Sequence, residues 1–381
     1  MENTVENKRL INEPFKNRAL KVALVHDFLA KEGGAEKVTQ VLSEIFPDAP
    51  IYTLLLSKNM QKMFSGRKIN TSSLQKFYEK FNIPTKWLMF KMPRAIEEFD
   101  FSKFDVVISS SHSFAKGIIT SPDTIHISYC HSPTRYLWDA CHSYLEEQKL
   151  PGFIKFLLQP RLHNLRIWDR LAASRVDYFV ANSNYVKNRI KKYYRKDAKV
   201  IYPPVEIPTN LTSNKKDYFL VLSRLSAYKK VDLAIQAFNK LGLSLVVIGD
   251  GEQLDELKQE ASDNIKFLGF KEDNEKWEYL SSARALIFPG EEDFGIVPVE
   301  AMAAGLPVIA FNKGGLKESV ADGKTGIFFK DQSVKSIVEA VQKFVEQEDT
   351  FITQELKSQA QKFNTERFKK EILEFISNVK S

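Results

Sequence analysis

An apolar run, Ala285–Phe288 (ALIF), stops at Pro289-Gly290, turns through a cluster of carboxylates to Gly295, and restarts as a helical pattern. The run is short and apolar on every position, as a parallel strand covered on both faces must be. Proline suits a first helical position, so the spacing predicts a helix from Pro298. Glu292 then lies in the loop and Glu300 in the helix's first turn. The backbone N–H groups of Gly295, Ile296 and Val297 leave the helix N-terminus, where the dipole favours an anion. An anion flanked by hydroxyls, as in a sugar nucleotide, fits a cradle with a carboxylate on either side. A capped helix with acidic residues in its first turn accounts for the same letters equally well.

The same order of strand, glycine turn and helix begins the chain. Lys21–His26 (KVALVH) reads as a strand, Asp27 and a loop lead to Gly33-Gly34, and Ala35–Phe46 has helical spacing with Val38, Val41, Leu42 and Ile45 on one face. Paired glycines let a ligand approach the backbone, or simply make a tight turn. The glycine fingerprint of dinucleotide-binding folds is absent, which leaves a dinucleotide oxidoreductase without support. Further strands are expected at Asp105–Ser109, Thr124–Ser128 and Asp177–Ser183. After a polar, proline-bearing stretch, Glu206–Lys216, the pattern restarts with strands at Tyr218–Leu222, Leu243–Ile248, Ile265–Phe270 and Pro307–Phe311 and a helix from Val231. A length of 381 residues suits two such domains.

Two further groups carry candidate chemistry. Tyr129–Asp139 (YCHSPTRYLWD) follows a strand's carboxyl end, where open α/β sheets hold ligands, and this makes His131 the leading candidate among six histidines. Arg224 and Lys229 bracket the entrance to the helix at Val231, a pairing that suits a diphosphate. Gly249-Asp250-Gly251 reads mainly as a tight turn.

The stretch Glu292–Glu300 (EDFGIVPVE) resembles the E-x7-E motif of the family 4 retaining glycosyltransferases, and its flanks, EAMAAGLPVI and Gly314-Gly315, are similar to that family as well. Ser223–Asp232 (SRLSAYKKVD) resembles the family's G-R-L-x-x-x-K-G-x-D signature, departing from it at Ser223 and Lys230, so Lys229 and Lys230 both remain open as the phosphate lysine. Tyr129–Tyr136 resembles a segment of the mannosyltransferase-like members. The resemblance implies an α/β fold of the GT-B type, two doubly wound Rossmann-like domains facing across a cleft, with landmarks from Lys21 to about Phe363. It places an acceptor-side domain at 21–205, a linker at 206–216, a nucleotide-sugar domain at 217–362 and a helix at 363–381 that crosses back to the first domain. That helix carries Phe368, Ile372, Phe375 and Ile376 on one side. Glu300 would hold the ribose, Glu292 the donor sugar's hydroxyls, His131 the reacting face, and Arg224 and Lys229 the diphosphate. Gly33 and Gly34 would lie beside donor and acceptor, and Arg135 and Tyr136 on the acceptor side.

The implied reaction is transfer of a glycosyl unit, tilted toward mannose from GDP-mannose, to a saccharide or lipid-linked saccharide acceptor in cell-surface polysaccharide assembly. A UDP-sugar donor and a non-catalytic nucleotide-sugar-binding protein are the alternatives. No Asp-x-Asp after a strand suggests a metal clamp and the cationic pair makes one unnecessary, so neither metal nor cofactor is expected. A net charge of +7 calls for an anionic partner, and the spread of basic residues, with no nucleic-acid module, turns that expectation from nucleic acid to nucleotide or membrane surface. Cys130 and Cys141 make no disulfide framework and fit a reducing cytosol. No run is long enough to span a membrane, and Met1–Leu20 lacks a signal peptide's apolar core and reads as a flexible lead-in. Lys76–Arg94 and Phe153–Arg170 are basic and aromatic. Either they enter a membrane interface through Trp87, Phe90 and Phe153, or they are ordinary helices on a sheet. Arg166–Asp169 is similar to a structural family segment, which points the second of them to the core.

Overall fold

Strands without polar–apolar alternation need cover on both faces, and the computed structural model builds two parallel sheets from them. It describes residues 20–81, 88–142, 151–208, 211 and 214–380. Lys86 and Trp87, most of the expected lead-in and part of the expected linker lie outside the described residues. The chain divides into two units: the first runs to Pro204 and resumes at Phe368, and the second is Val205–Arg367.

The first unit holds β1 (Val22–Leu29), β2 (Ile51–Leu56), β3 (Ile69–Thr71), β4 (Val106–Ser111), β5 (Ile125–Cys130), β6 (Tyr178–Ala181) and β7 (Ala198–Val200). Their order is β3-β2-β1-β4-β5-β6-β7, all parallel. On β1, Leu24 faces a core shared with Val38 and Leu42 of the helix Gly34–Ile45 and with Phe368, Ile372, Leu373 and Ile376 of the helix Thr365–Lys380. Its neighbours Ala23 and Val25 face the other way, against Ile96, Leu162 and Leu165. Phe375, expected on the buried side of the last helix, packs against that core but is only partly buried, and Leu373 joins it there.

The second unit holds β8 (Phe219–Leu222), β9 (Leu245–Ile248), β10 (Ile265–Gly269), β11 (Leu286–Phe288), β12 (Val308–Phe311) and β13 (Gly326–Phe329), in the order β10-β9-β8-β11-β12-β13 and again all parallel. Both sheets reverse direction of growth once, between β1 and β4 and between β8 and β11. Connections leave such a point in opposite directions and open a crevice at the strands' carboxyl ends.

Two sequence expectations change. The helix after β11 begins at Ile296, not Pro298, because Gly295 turns the chain at φ 88° and the helix winds directly from it. Glu300 is therefore its fifth residue rather than part of its first turn. The segment Phe153–Arg170 lies in one helix, Gly152–Ser174, but only its second half is core. Leu162, Leu165 and Asp169 are buried, whereas Phe153, Phe156 and Leu157 are exposed. Phe90 of the first basic segment packs against the core of its own unit, and so does not stand out as an inserting residue.

Candidate active site

In the second unit the crevice between β8 and β11 brings together residues far apart in sequence. Lys229 follows β8, Glu292 follows β11, and the two form an ion pair. Their side chains are only 16% and 20% exposed, so the pair is poorly screened by water. Burial works to lower the Lys229 pKa, but the Glu292 carboxylate and Tyr228 more than offset it and hold the ammonium above its ordinary value. The ammonium also lies 5.0 Å from the ring of Tyr228. Lys230 turns the chain at φ 56° into the helix Val231–Leu241. It occupies the left-handed conformation that glycine adopts most easily, which explains why a glycine would serve there. Lys229, and not Lys230, is the lysine paired with Glu292. Arg224 is exposed, and no ion pair holds it among the described residues.

Two glycine pairs fix these loops. A Cβ on Gly314, which has φ 78°, would sit 2.2 Å from the Glu292 carbonyl oxygen, and one on Gly315 would sit 2.1 Å from that of Asp293. Gly315 N–H donates to the Glu292 carbonyl at 2.8 Å. Gly249 and Gly251 do more than make a tight turn. Cβ atoms on them would lie 1.8 Å and 2.1 Å from the carbonyl oxygens of Ser223 and Leu225, so they seat the loop that carries Arg224. The helix Ile296–Ala303 has no side-chain cap, and its first N–H groups have no partner within the helix.

Glu300 is buried, and Lys276, on the helix Asp273–Ser282, reaches it at 3.0 Å while also pairing with Asp273 at 2.7 Å. Sequence reasoning missed Lys276. The available signal was indirect, since a carboxylate in an otherwise apolar helix must find a cation once buried.

The first unit's crevice holds the other candidates. His131 follows β5, its Nε2 2.8 Å from Ser110 Oγ at the end of β4. Asp27, fully buried within β1, accepts the backbone N–H groups of His112, Ser113, Phe114 and Ala115 at 2.5–3.0 Å. Burial would raise its pKa, but His112, His26 and those N–H groups hold it below the ordinary carboxylate value. Asp27 thus organises the turn after β4, a role its position after an apolar run only hinted at. The segment after His131 is pinned by Asp169, which accepts from Lys116, Thr134, Trp138 and Tyr194 at 2.6–2.9 Å. Arg135 faces Asp139 at 3.8 Å, and Tyr136 is partly buried against the core. Gly33 caps the helix Gly34–Ile45 with an extended backbone at φ −168°.

The sequence pattern described as Glycosyltransferase Family 4 matches residues 33–207, and that described as Glycosyl transferases group 1 matches residues 205–366. The two adjoin, one on each unit. The chain belongs to the family 4 glycosyltransferases. That family of retaining hexosyltransferases is built on the GT-B fold, and the chain has two parallel-sheet, Rossmann-like domains of that kind. An uncharacterized glycosyltransferase of Methanocaldococcus jannaschii is 28% identical over 189 residues, 48% of this chain and 54% of that one, so the match spans about half of that relative. An alpha-1,3/1,6-mannosyltransferase of Dictyostelium discoideum is 26% identical over 303 residues, 65% of this chain and 68% of that one. Among solved structures, Anabaena HepE in complex with UDP-glucose has the same fold, with a TM-score of 0.70 at 19% identity over 94% of this chain and 99% of that one.

Proposed function

We propose that the protein transfers a hexosyl unit, with retention of configuration, from a nucleotide sugar to a hydroxyl of a saccharide or lipid-linked saccharide acceptor in cell-surface polysaccharide synthesis, and that the donor is GDP-mannose. The observation that carries the reading is the Lys229–Glu292 pair beside the uncapped helix N-terminus at Gly295. A departing diphosphate needs positive charge and oriented N–H groups, and this corner offers both. In the absence of donor the ammonium is held by Glu292; a phosphate would share it, while the carboxylate meets the sugar's hydroxyls. Arg224, exposed at the same loop, adds a second cation, and Glu300, backed by Lys276, takes the ribose. His131 is assigned the reacting face of the donor sugar. The mannose assignment is supported by the Tyr129–Tyr136 segment and by the mannosyltransferase relative.

Because protein groups neutralise the leaving group, transfer is expected to need no divalent metal. The acceptor side is proposed to work at an anionic membrane surface. The first half of the helix Gly152–Ser174 supports this, since exposed Phe153, Phe156 and Leu157 share it with Lys155 and exposed Arg161. No described helix is long and apolar enough to cross a membrane.

Donor choice is tested by thermal denaturation with GDP-mannose, UDP-glucose and UDP-galactose, followed by nucleotide release with and without excess chelator. GDP-mannose at 100 times its dissociation constant should add about 2.7 kcal/mol of stability. Its release as GDP should persist in chelator. Stabilisation by a UDP-sugar alone would replace the donor, and binding without any release would leave a nucleotide-sugar-binding protein.

A further inference from the structure

Glu36, His26 and Ser110 of the first unit, none of them given a role at the donor, form an unbroken line that leads to His131. Glu36 Oε1 lies 3.4 Å from His26 Nε2. His26 Nδ1 lies 3.1 Å from the Ser110 carbonyl oxygen and 3.2 Å from Ser110 Oγ, which in turn lies 2.8 Å from His131 Nε2. His26 and Ser110 are 0% and 1% exposed, so water does not complete their hydrogen bonds. Thr39 Oγ1 lies 3.0 Å from both His26 Nδ1 and Ser110 Oγ, and 3.0 Å from the Ala35 carbonyl. The line begins at the glycine loop, because a Cβ on Gly33 would sit 2.8 Å from Glu36 Oε2.

Proton accounting gives the line a direction. A carbonyl and a carboxylate only accept. The Ser110 carbonyl asks for a hydrogen on His26 Nδ1 and Glu36 asks for one on Nε2, so His26 satisfies both only as the imidazolium. Burial opposes that charge, but Glu36, Asp27 and the Ser110 carbonyl outweigh it and raise the His26 pKa. The hydrogen on His26 Nδ1 goes to the Ser110 carbonyl. The Ala35 carbonyl, inside a helix, already has a backbone N–H, so the Thr39 hydroxyl is left to donate to Ser110 Oγ, whose own single hydrogen remains for His131 Nε2. A neutral His131 that accepts at Nε2 carries its hydrogen on Nδ1. The groups facing it agree with a neutral ring: burial and the charges of His26 and His112 hold it well below the ordinary histidine value, against Asp27. Tyr129, 5.2 Å away edge to face, adds no charge.

We propose that Glu36, His26 and Ser110 are positioning residues that hold His131 as the neutral Nδ1–H tautomer, so that it meets a bound donor sugar as a hydrogen-bond donor and not as a base or a cation. The contact with sugar rests on the proposed transferase reading; the tautomer does not. Long-range proton–nitrogen NMR of the full chain labelled with 15N-histidine, with His131 assigned by a His131→Gln variant, reads the tautomer directly. His131 should remain neutral with hydrogen on Nδ1 from about pH 8 to about pH 5. In His26→Asn the amide nitrogen replaces Nδ1 without the charge, and the His131 titration midpoint should rise. Ser110→Ala should remove the tautomer preference and lower kcat about tenfold, with donor KM changed less. An Nε2–H tautomer in the unmodified protein, or an unmoved midpoint in a folded His26→Asn, would overturn the proposal. Should neither variant fold, the spectrum of the unmodified protein decides it alone. Spectra as expected in a protein that turns over no nucleotide sugar would uphold the line while defeating the transferase reading.

Discussion

Glu292 and Glu300 sit eight residues apart but in unlike surroundings. Glu292 is in a loop and pairs with the Lys229 ammonium, which the proposed diphosphate would also claim, whereas Glu300 is buried in a helix with Lys276 behind it. Glu292→Gln should therefore lower kcat, on the order of 100-fold if the sugar shifts by about 1 Å, and leave affinity for the bare nucleoside diphosphate intact. Glu300→Gln should raise donor KM with kcat less affected. Steady-state kinetics and calorimetry separate the two, and an exchange of these effects would exchange the roles. Lys229→Ala should lose about 1.5–3 kcal/mol of nucleoside diphosphate affinity. Lys230→Gly should lose none, because Lys230 shapes the turn at φ 56° rather than facing Glu292. Equal losses in both variants would reject this assignment. His126 gives a pH test. Burial, then the charge of Arg175, lower its pKa to about 3 from 6.5, so the unfolded chain binds a proton that the folded one refuses. Its contribution to stability is present above pH 6.5 and is lost as pH falls toward about 3. Denaturant titrations of His126→Gln should lose about 1 kcal/mol of acid sensitivity per pH unit in that window; an unchanged slope would mean His126 is charged in the fold.

At the scale of elements, the sequence was most legible where its signals are local. Short runs rich in apolar residues marked nine of the thirteen strands, and glycine turns marked the loops beyond several of them. β2, β3, β7 and β13 were not read as strands: β3 (INT) and β7 (AKV) are three residues long and carry polar residues, so no apolar run marks them. The motif carboxylates and Lys229 were legible because they stand in recognisable segments. Their partners were not, since His26 meets Ser110 across 84 residues, Asp27 meets His112 across 85, and Lys276 meets Glu300 across 24. Only the strand order brings such pairs together. The exposed aromatic turn of the helix Gly152–Ser174 was only one of two open readings for another reason: periodicity shows that a helix has an apolar face, not what covers it. Gly314 tests whether the loop's placement matters. At φ 78° and with a Cβ 2.2 Å from the Glu292 carbonyl, Gly314→Ala should destabilise the second unit by at least about 1 kcal/mol and weaken donor turnover. Normal melting and normal kinetics would show that the loop tolerates the shift.

For the whole molecule, the net charge of +7 and the exposed Phe153–Leu157 turn predict adsorption to anionic vesicles. Binding should weaken as salt shortens the screening length from about 10 Å at 0.1 M to about 3 Å at 1 M. Phe153→Ser with Phe156→Ser should weaken it further at unchanged melting temperature, and no vesicle binding at low salt would reject the proposed surface. The helix Thr365–Lys380 has a consequence of another kind. Phe368, Ile372, Leu373 and Ile376 finish the core that Val22, Leu24 and Leu42 begin, yet the whole second unit is encoded between them. On the ribosome the second unit is contiguous and can close as soon as it emerges. The first, begun earlier, must wait on the order of 10 s with one apolar face open until its last helix is made. Translation order and completion order therefore run opposite ways, and the nascent chain is most in need of a chaperone while its second half is still being made.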